Sequence, residues 1–356
     1  MNQTRLFLIF AWLMVATLLW MEWSKFNAPS PVVSPTAMAQ PAAVESVPSA
    51  VPLQPAASTP AGVPTAPSAV EATRASNPAP ARQSVVVSSD LLRLTLDGGN
   101  VLEAVLLKYP QTKAAGSPPV VLFTQDPAHF YTAQSGWTSA KHPAPNHLGG
   151  FVPENGSGAM TLAPGAASVS VPFVWNGPEG VTIRRTFTLK RNDYAVGVRD
   201  EVVNRGNAPW QGAIYRQLER LPPVIKTGMT NPESFSFSGA TWYSVQKQYE
   251  RLKFAKYMED GKLNQAATGA WVAMLQHHFF SAWIPDAKAE VNLQTDEIAG
   301  RALIREVGPT LSVAPGQQAS TEARLYVGPQ LIAQMRAQGV AGLDRAVDYS
   351  QFSIFA

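Results

Sequence analysis

The sequence predicts a mainly β protein, with an N-terminal transmembrane helix and a disordered linker ahead of a large two-sheet antiparallel β-sandwich that ends in a short helix. Three observations predict it. An apolar run without a charged side chain fills Leu6–Met21. A Pro/Ala-rich stretch with twelve prolines occupies Asn27–Gln83. From Ser84 onward, short runs alternate apolar and polar residues between turn signals, the period of half-buried strands.

The first element is LFLIFAWLMVATLLWMEW, Leu6–Trp23, with Arg5 before it and Glu22 and Lys25 after it. As a helix it spans ~27 Å, close to the ~30 Å of hydrocarbon in a bilayer. Trp20 and Trp23 sit at one end, where amphipathic rings favour the headgroup level. A cleaved signal peptide is the rival reading, and Ala37-Met38-Ala39 has the small-x-small form of a cleavage site. The run is longer than the ~7–15 residues of a signal core, and that site lies far beyond its end, so retention is favoured. Arg5 and the α-amino group place the N-terminus inside and the rest outside.

In the linker only Glu45, Glu71, Arg74 and Arg82 carry charge, and its prolines oppose both helix and ladder. Such a coil, partly polyproline II, reaches ~40 Å. The expected divisions are residues 1–26 (anchor), 27–83 (linker), 84–328 (sandwich) and 329–356 (helix and tail).

Within the sandwich, Leu92–Leu96 alternates and stops at Asp97-Gly98-Gly99-Asn100, a turn leading into Val101–Leu107. Ser168–Trp175, Val181–Leu189 and Tyr194–Val203 repeat the pattern, the last two joined as a hairpin through Arg191-Asn192-Asp193. Later strands are expected at Ala270–Ile284, Glu290–Leu293, Ala302–Val307 and Glu322–Val327. So many strands with so little helical periodicity suit a supersandwich-like antiparallel fold. After Gly328-Pro329 the pattern turns helical, with Pro329 at the first position, Leu331, Ile332 and Met335 on one face and Gly339 as the cap. The chain finishes on Phe352-Ser353-Ile354-Phe355-Ala356, an apolar stretch that a soluble domain rarely exposes.

The chain has 356 residues, a net charge of +3 and no cysteine, which excludes thiol catalysis and Cys-ligated metals. Its cations are scattered, so a nucleic-acid partner has little support. On a regular strand Ala270–Ile284, adjacent His277 and His278 point to opposite faces and cannot share a metal. His129, His142 and His147 lie in a Pro-rich loop region at no ligand spacing. Asp200-Glu201 and Asp296-Glu297 read as ordinary solvated pairs at strand ends or turns. No nucleophile elbow, phosphate loop, dinucleotide fingerprint, zinc-protease or EF-hand motif is present. Trp242, Tyr243, Tyr249, Phe254 and Tyr257 are interleaved with Lys247, Arg251, Lys253 and Lys256. A solvated strand pair whose aromatics belong to the core is the favoured reading. A protein contact through Lys247, Tyr249, Arg251, Lys253 and Lys256 comes second, and nucleic acid a distant third.

At Gly269–Pro285, GAWVAMLQHHFFSAWIP, the chain closely resembles a signature segment in the periplasmic domain of YidC-type membrane protein insertases. The N-terminal MNQTRLFLIFAWLMVATLLWMEW, Phe187–Asn204 and Arg324–Met335 leading to Leu343–Tyr349 resemble the same family in the expected order. The resemblance implies an anchored protein of a Gram-negative inner membrane with its N-terminus cytoplasmic and its main domain periplasmic. It implies insertion and folding of nascent membrane proteins in the lipid bilayer, alone or with the Sec translocon and its accessory subunits. No cofactor or covalent step is implied. The family's five-helix membrane bundle and its groove arginine have no counterpart here, so the chain is expected to be a piece of a longer protein. No arginine of this chain can take that role. The rival expectation is a periplasmic carbohydrate-binding or mutarotase-like sandwich, marked by two carboxylates and a histidine converging in a cleft.

Overall fold

The computed structural model describes residues 13, 14, 16, 17, 83–224, 236–257, 259, 262–276 and 278–346. The expected anchor (apart from the first four of these), the linker up to residue 82, His277 and the tail after residue 346 lie outside the described residues. The chain divides into two compact units, 1–60 and 61–356. In the first, Leu13, Met14, Ala16 and Thr17 are helical, and the Thr17 hydroxyl donates to the Leu13 carbonyl at 2.6 Å. Among the described residues no helix is long and apolar enough to cross a membrane.

The second unit holds nineteen described strands: β1 (Val85–Ser88), β2 (Leu92–Leu96), β3 (Asn100–Pro110), β4 (Pro119–Phe123), β5 (Tyr131–Thr138), β6 (Val152–Pro153), β7 (Gly158–Thr161), β8 (Ser168–Asn176), β9 (Val181–Lys190), β10 (Ala195–Asn204), β11 (Trp210–Arg220), β12 (Gly239–Ser244), β13 (Gln248–Lys253), β14 (Asn264–Thr268), β15 (Trp271–Gln276), β16 (Phe279–Pro285), β17 (Glu290–Ile298), β18 (Arg301–Val313) and β19 (Gln318–Pro329). One sheet runs β14-β17-β18-β11-β5-β3-β2-β1-β7, with β4 also on β3. The other runs β13-β12-β15-β16-β19-β10-β9-β8-β6. The pairing is antiparallel except between β1 and β7.

Alternation sets the inward faces. On β9, Val181, Ile183, Phe187 and Leu189 are buried, while Arg184 and Lys190 lie outside. The two sheets meet face to face, and polar side chains tie them. Trp137 on β5 donates its indole N–H to Asp200 on β10 at 2.6 Å, and Trp283 on β16 donates to the Gln217 carbonyl on β11 at 3.0 Å. The expected large two-sheet sandwich is therefore the fold.

Two local expectations are corrected. Ala270–Ile284 is not one strand but the hairpin β15–β16, with Val272 opposite Trp283 and Gln276 opposite Phe279. Its two arms, Trp271–Leu275 and Phe279–Ile284, are apolar apart from Ser281 because both faces of this sheet are covered, so no alternation separates them and only Gln276-His277-His278 stands at the reversal. Pro329 closes β19 instead of opening the helix, because Pro329 pairs with Phe279 in the ladder. The helix, α1, is Ile332–Ala337 with Leu331 as its N-cap. Gly339, at φ 62°, follows the C-cap Gln338 as expected.

Candidate functional site

The basic, aromatic segment forms the β12–β13 hairpin, with Tyr243 opposite Tyr249 and Ser244 opposite Gln248. Among the described strands β13 is the last of its sheet, so alternate backbone N–H and C=O groups turn away from β12. Trp242 and Leu252 are buried on the inward side, and the Trp242 indole donates to Glu250 at 2.8 Å. Tyr249, Arg251 and Lys253, two residues apart, share the outward side. Lys247 is exposed in the turn, and Lys256 is exposed in the 3-10 turn Phe254–Lys256. The sequence-predicted contact residues thus lie along one edge. All four basic residues are exposed, with the Arg251 guanidinium carbon 5.3 Å from the centre of the Phe237 ring, while Tyr249 is half-buried against Trp271 at 6.0 Å between ring centroids.

The same sheet carries a second, apolar surface on its outward side. Tyr243 stacks on Trp271 at 6.1 Å, and Phe280 stacks on Tyr326 at 4.6 Å. The C-terminal segment packs on this part of the domain. Met335, Leu343 and Ala346 are buried, the Trp271 indole donates to the Ala341 carbonyl at 3.0 Å, and Arg324 donates to the Gln338 carbonyl at 2.8 Å. Gly342, at φ 70°, sits so close to the Tyr243 ring that a Cβ there would meet Tyr243 Cδ2 at 2.3 Å. The hairpin and the C-terminal segment therefore share Tyr243 and Trp271. Sequence reasoning placed Tyr243 in the core without finding its neighbour, because Gly342 lies 99 positions along the chain from Tyr243.

Asp200 corrects the expectation of a solvated pair. It is in mid-strand and fully buried beside Arg185, with Arg185 Nε and Nη2 each donating to its carboxylate at 2.7 Å. Arg185 also donates to the Gly98 carbonyl at 2.9 Å and to the Ser135 hydroxyl at 2.9 Å. The signal was present in the sequence: Arg185 falls in the buried series of β9, and Asp200 in that of β10 with Val196, Val198 and Val202. A second buried pair, Arg216–Glu306 at 2.6 Å, is bonded to Thr321 across the sheets. Burial raises the Glu306 carboxyl above its ordinary value, opposed by Arg216.

The remaining titratable candidates are dispersed. His129 meets Asp126 at 2.8 Å and His142 meets Glu179 at 2.7 Å, both pairs at the surface. His147 is buried, and its Nδ1 lies 2.6 Å from the Tyr215 hydroxyl. His278 is exposed at the β15–β16 reversal, so the strand on which the opposite-facing reading rested does not exist. Asp296 is held below its ordinary value because the Lys262 hydrogen bond at 2.7 Å, with other contacts, outweighs the effect of burial. Among the described residues no three His, Asp or Glu side chains converge where a metal could be held.

The family described as "YidC periplasmic domain" matches residues 84–356. Among curated proteins, the membrane protein insertase YidC of Stenotrophomonas maltophilia strain R551-3 is 53% identical over 358 residues, covering 100% of this chain and 62% of that protein. The membrane protein insertase YidC of Xanthomonas axonopodis pv. citri strain 306 is 53% identical over 364 residues, covering 100% of this chain and 63% of that protein. The chain thus spans under two thirds of the length of these relatives. Among solved structures, a galactose mutarotase-like protein from Lactobacillus casei ATCC 334 is 10% identical with a TM-score of 0.46, covering 68% of this chain and 99% of that one. A likeness at that level says nothing about activity.

Proposed function

The chain belongs to the YidC periplasmic-domain family, and on that premise we propose that it is the anchored periplasmic part of a membrane protein insertase that assists insertion and folding of inner-membrane proteins. In this reading Leu6–Trp23 is retained as the anchor with its N-terminus cytoplasmic, and residues 27–83 tether the sandwich near the bilayer. The periplasmic domain is the docking part, and its partner is the Sec translocon with its accessory subunits. The names of the curated relatives support the insertase reading. Transferring polar segments through hydrocarbon is costly, and a protein that lowers that cost by contact needs no cofactor.

The observation that supports docking is the β13 edge. It combines the terminal strand among those described in its sheet with four exposed cations, Lys247, Arg251, Lys253 and Lys256, and a half-buried ring, Tyr249. Exposed cations steer an acidic partner and set its register, while the aromatic ring supplies desolvated contact area. Replacing the four cations with Glu in the anchored protein should cut co-purification of the Sec complex by roughly tenfold or more, since like-charge contacts cost several kcal/mol. Recovery equal to that of the unaltered protein, with the hairpin still folded, would exclude this edge as the contact.

A further inference from the structure

Strand β18 outruns one of its neighbours. β17 pairs with it no further than Asn292 opposite Val307, whereas β11 follows it on to Trp210 opposite Val313. Between these limits Gly308 and Pro309 together stand opposite Ile214, a bulge. The Val313 carbonyl is taken by the Asn204 side chain at 2.8 Å. Among the described strands, Pro309–Ser312 thus has a ladder partner on one side only, and alternate backbone groups of Thr310–Ser312 turn away from β11.

A cavity of about 170 Å³ lies beside this overhang, walled by Ile214 and Leu311 from one sheet and by Pro285 and Thr321 from the other. Trp137, Ile214 and Val291 are buried at its floor, while Asp286, Pro309 and Glu322 are exposed, so it opens to solvent. Arg216 also lines it, but that guanidinium is held by Glu306 and Thr321, which leaves the interior chiefly apolar. A cavity of ~150 Å³ takes a benzene ring, so this one has room for the side chain of one Leu or Phe.

We propose that the β18 overhang and this cavity together bind an extended polypeptide segment by strand addition, with one apolar side chain of the segment in the cavity. A strand laid along Thr310–Ser312 continues the line of β17. Its residue opposite Leu311 projects to the same side as Leu311, the side of the cavity. Its residues opposite Thr310 and Ser312 project to the other side, where both of those side chains are exposed. The site therefore selects a polar–apolar–polar segment. A small apolar molecule would fill the cavity but leave the backbone groups of the overhang unpaired, and so short an edge holds a strand weakly without an anchored side chain. At the mouth Glu322 is paired with Arg199 at 2.7 Å, whereas Asp286 forms no ion pair among the described residues, which favours Lys or Arg flanking the segment. The overhang belongs to the sheet that lacks β13, and the site is independent of translocon docking.

The test is fluorescence anisotropy with a labelled peptide that alternates Thr and Val around a central Leu and ends in Lys on both sides. It is titrated with the full chain in detergent micelles, with empty micelles as the blank. Saturable binding is expected. Replacing the central Leu with Gly should weaken it roughly tenfold, the scale of one buried side chain. N-methylation of one alternate set of peptide amides should abolish binding, and of the other set should leave most of it, because only one set faces β18. Ala289→Phe, which places a ring in the half-buried lining, should cut binding roughly tenfold at an unchanged melting temperature. Asp286→Asn should weaken the Lys-ended peptide roughly twofold to fivefold and leave a Ser-ended one unchanged. The peptide variants are read on the unaltered protein, so a folding defect in Ala289→Phe leaves the test intact. Absence of saturable binding to the folded chain overturns the proposal. So does equal binding of the Gly peptide, an equal effect of the two methylation sets, or unaltered binding by folded Ala289→Phe.

Discussion

Arg185 and Asp200 show how much one residue pair can fix. Both side chains are at 0% exposure, and the carboxylate receives two guanidinium donors and the Trp137 indole. The Arg185 guanidinium carbon also lies 4.5 Å from the centre of the Phe151 ring. Such a pair adds little net stability over an apolar equivalent, but breaking it strands a charge in low dielectric. Arg185→Met should lower the unfolding free energy by about 3–5 kcal/mol in a denaturant titration. The double variant Arg185→Met/Asp200→Asn, which keeps an acceptor for Trp137, should recover much of that loss. A single variant within about 1 kcal/mol of the parent would mean that the site admits water.

At the scale of elements, the C-terminal segment is held by specific contacts and not by helix propensity. α1 has six residues and no side-chain cap, too short to be stable alone. It stays in place because Met335, Leu343 and Ala346 are buried and because Ala341 and Gln338 accept from Trp271 and Arg324. Gly342 makes the close approach to Tyr243, with a positive φ that a side chain would strain. Gly342→Ala should cost about 1–3 kcal/mol locally. Hydrogen exchange at the Leu343 and Arg345 amides, which donate to Val340 and Gly342, should accelerate while β9 and β10 stay protected. Unchanged protection at those two amides would show that the Tyr243 ring can move aside.

For the whole molecule, buried carboxylates make stability depend on pH. Glu219 is raised from its ordinary value of 4.5, mainly by burial, against the opposing Arg301 charge and the Gln134 hydrogen bond. The folded chain therefore holds this proton more tightly than the unfolded one. The contribution of Glu219 is complete below pH 4.5 and is lost as pH rises through the raised folded value. Glu219→Gln cannot ionise, so its melting temperature relative to the parent should climb as pH rises above 4.5. A difference independent of pH would place the charge in contact with solvent. Cross-sheet bonds from Trp137, Trp283 and Arg216 tie the two sheets together, so one cooperative transition is expected.

The strands with one wet face were legible in the sequence. Leu92–Leu96 has the expected limits, and β9 and β10 pair as a hairpin through Asn192, because period-two alternation records which side meets water. β11 escaped notice. It carries Tyr215, Gln217 and Glu219 on one face and Arg216, Leu218 and Arg220 on the other, all buried, so neither face leaves an apolar signature. The β15–β16 reversal was hidden for the related reason that both of its faces are apolar. At the β13 edge, residue types alone revealed the cations and rings, but their place at the end of a sheet depended on pairing. By itself the sequence determined the β-sandwich class, the family likeness and the exposed cations, because alternation and motif are local properties of the chain. Only the tertiary structure decided that Arg185 meets Asp200, that Gly342 meets Tyr243, and that β18 runs past β17 beside a cavity between the sheets. Those relations come from strand register and sheet stacking between distant positions, which no local pattern encodes.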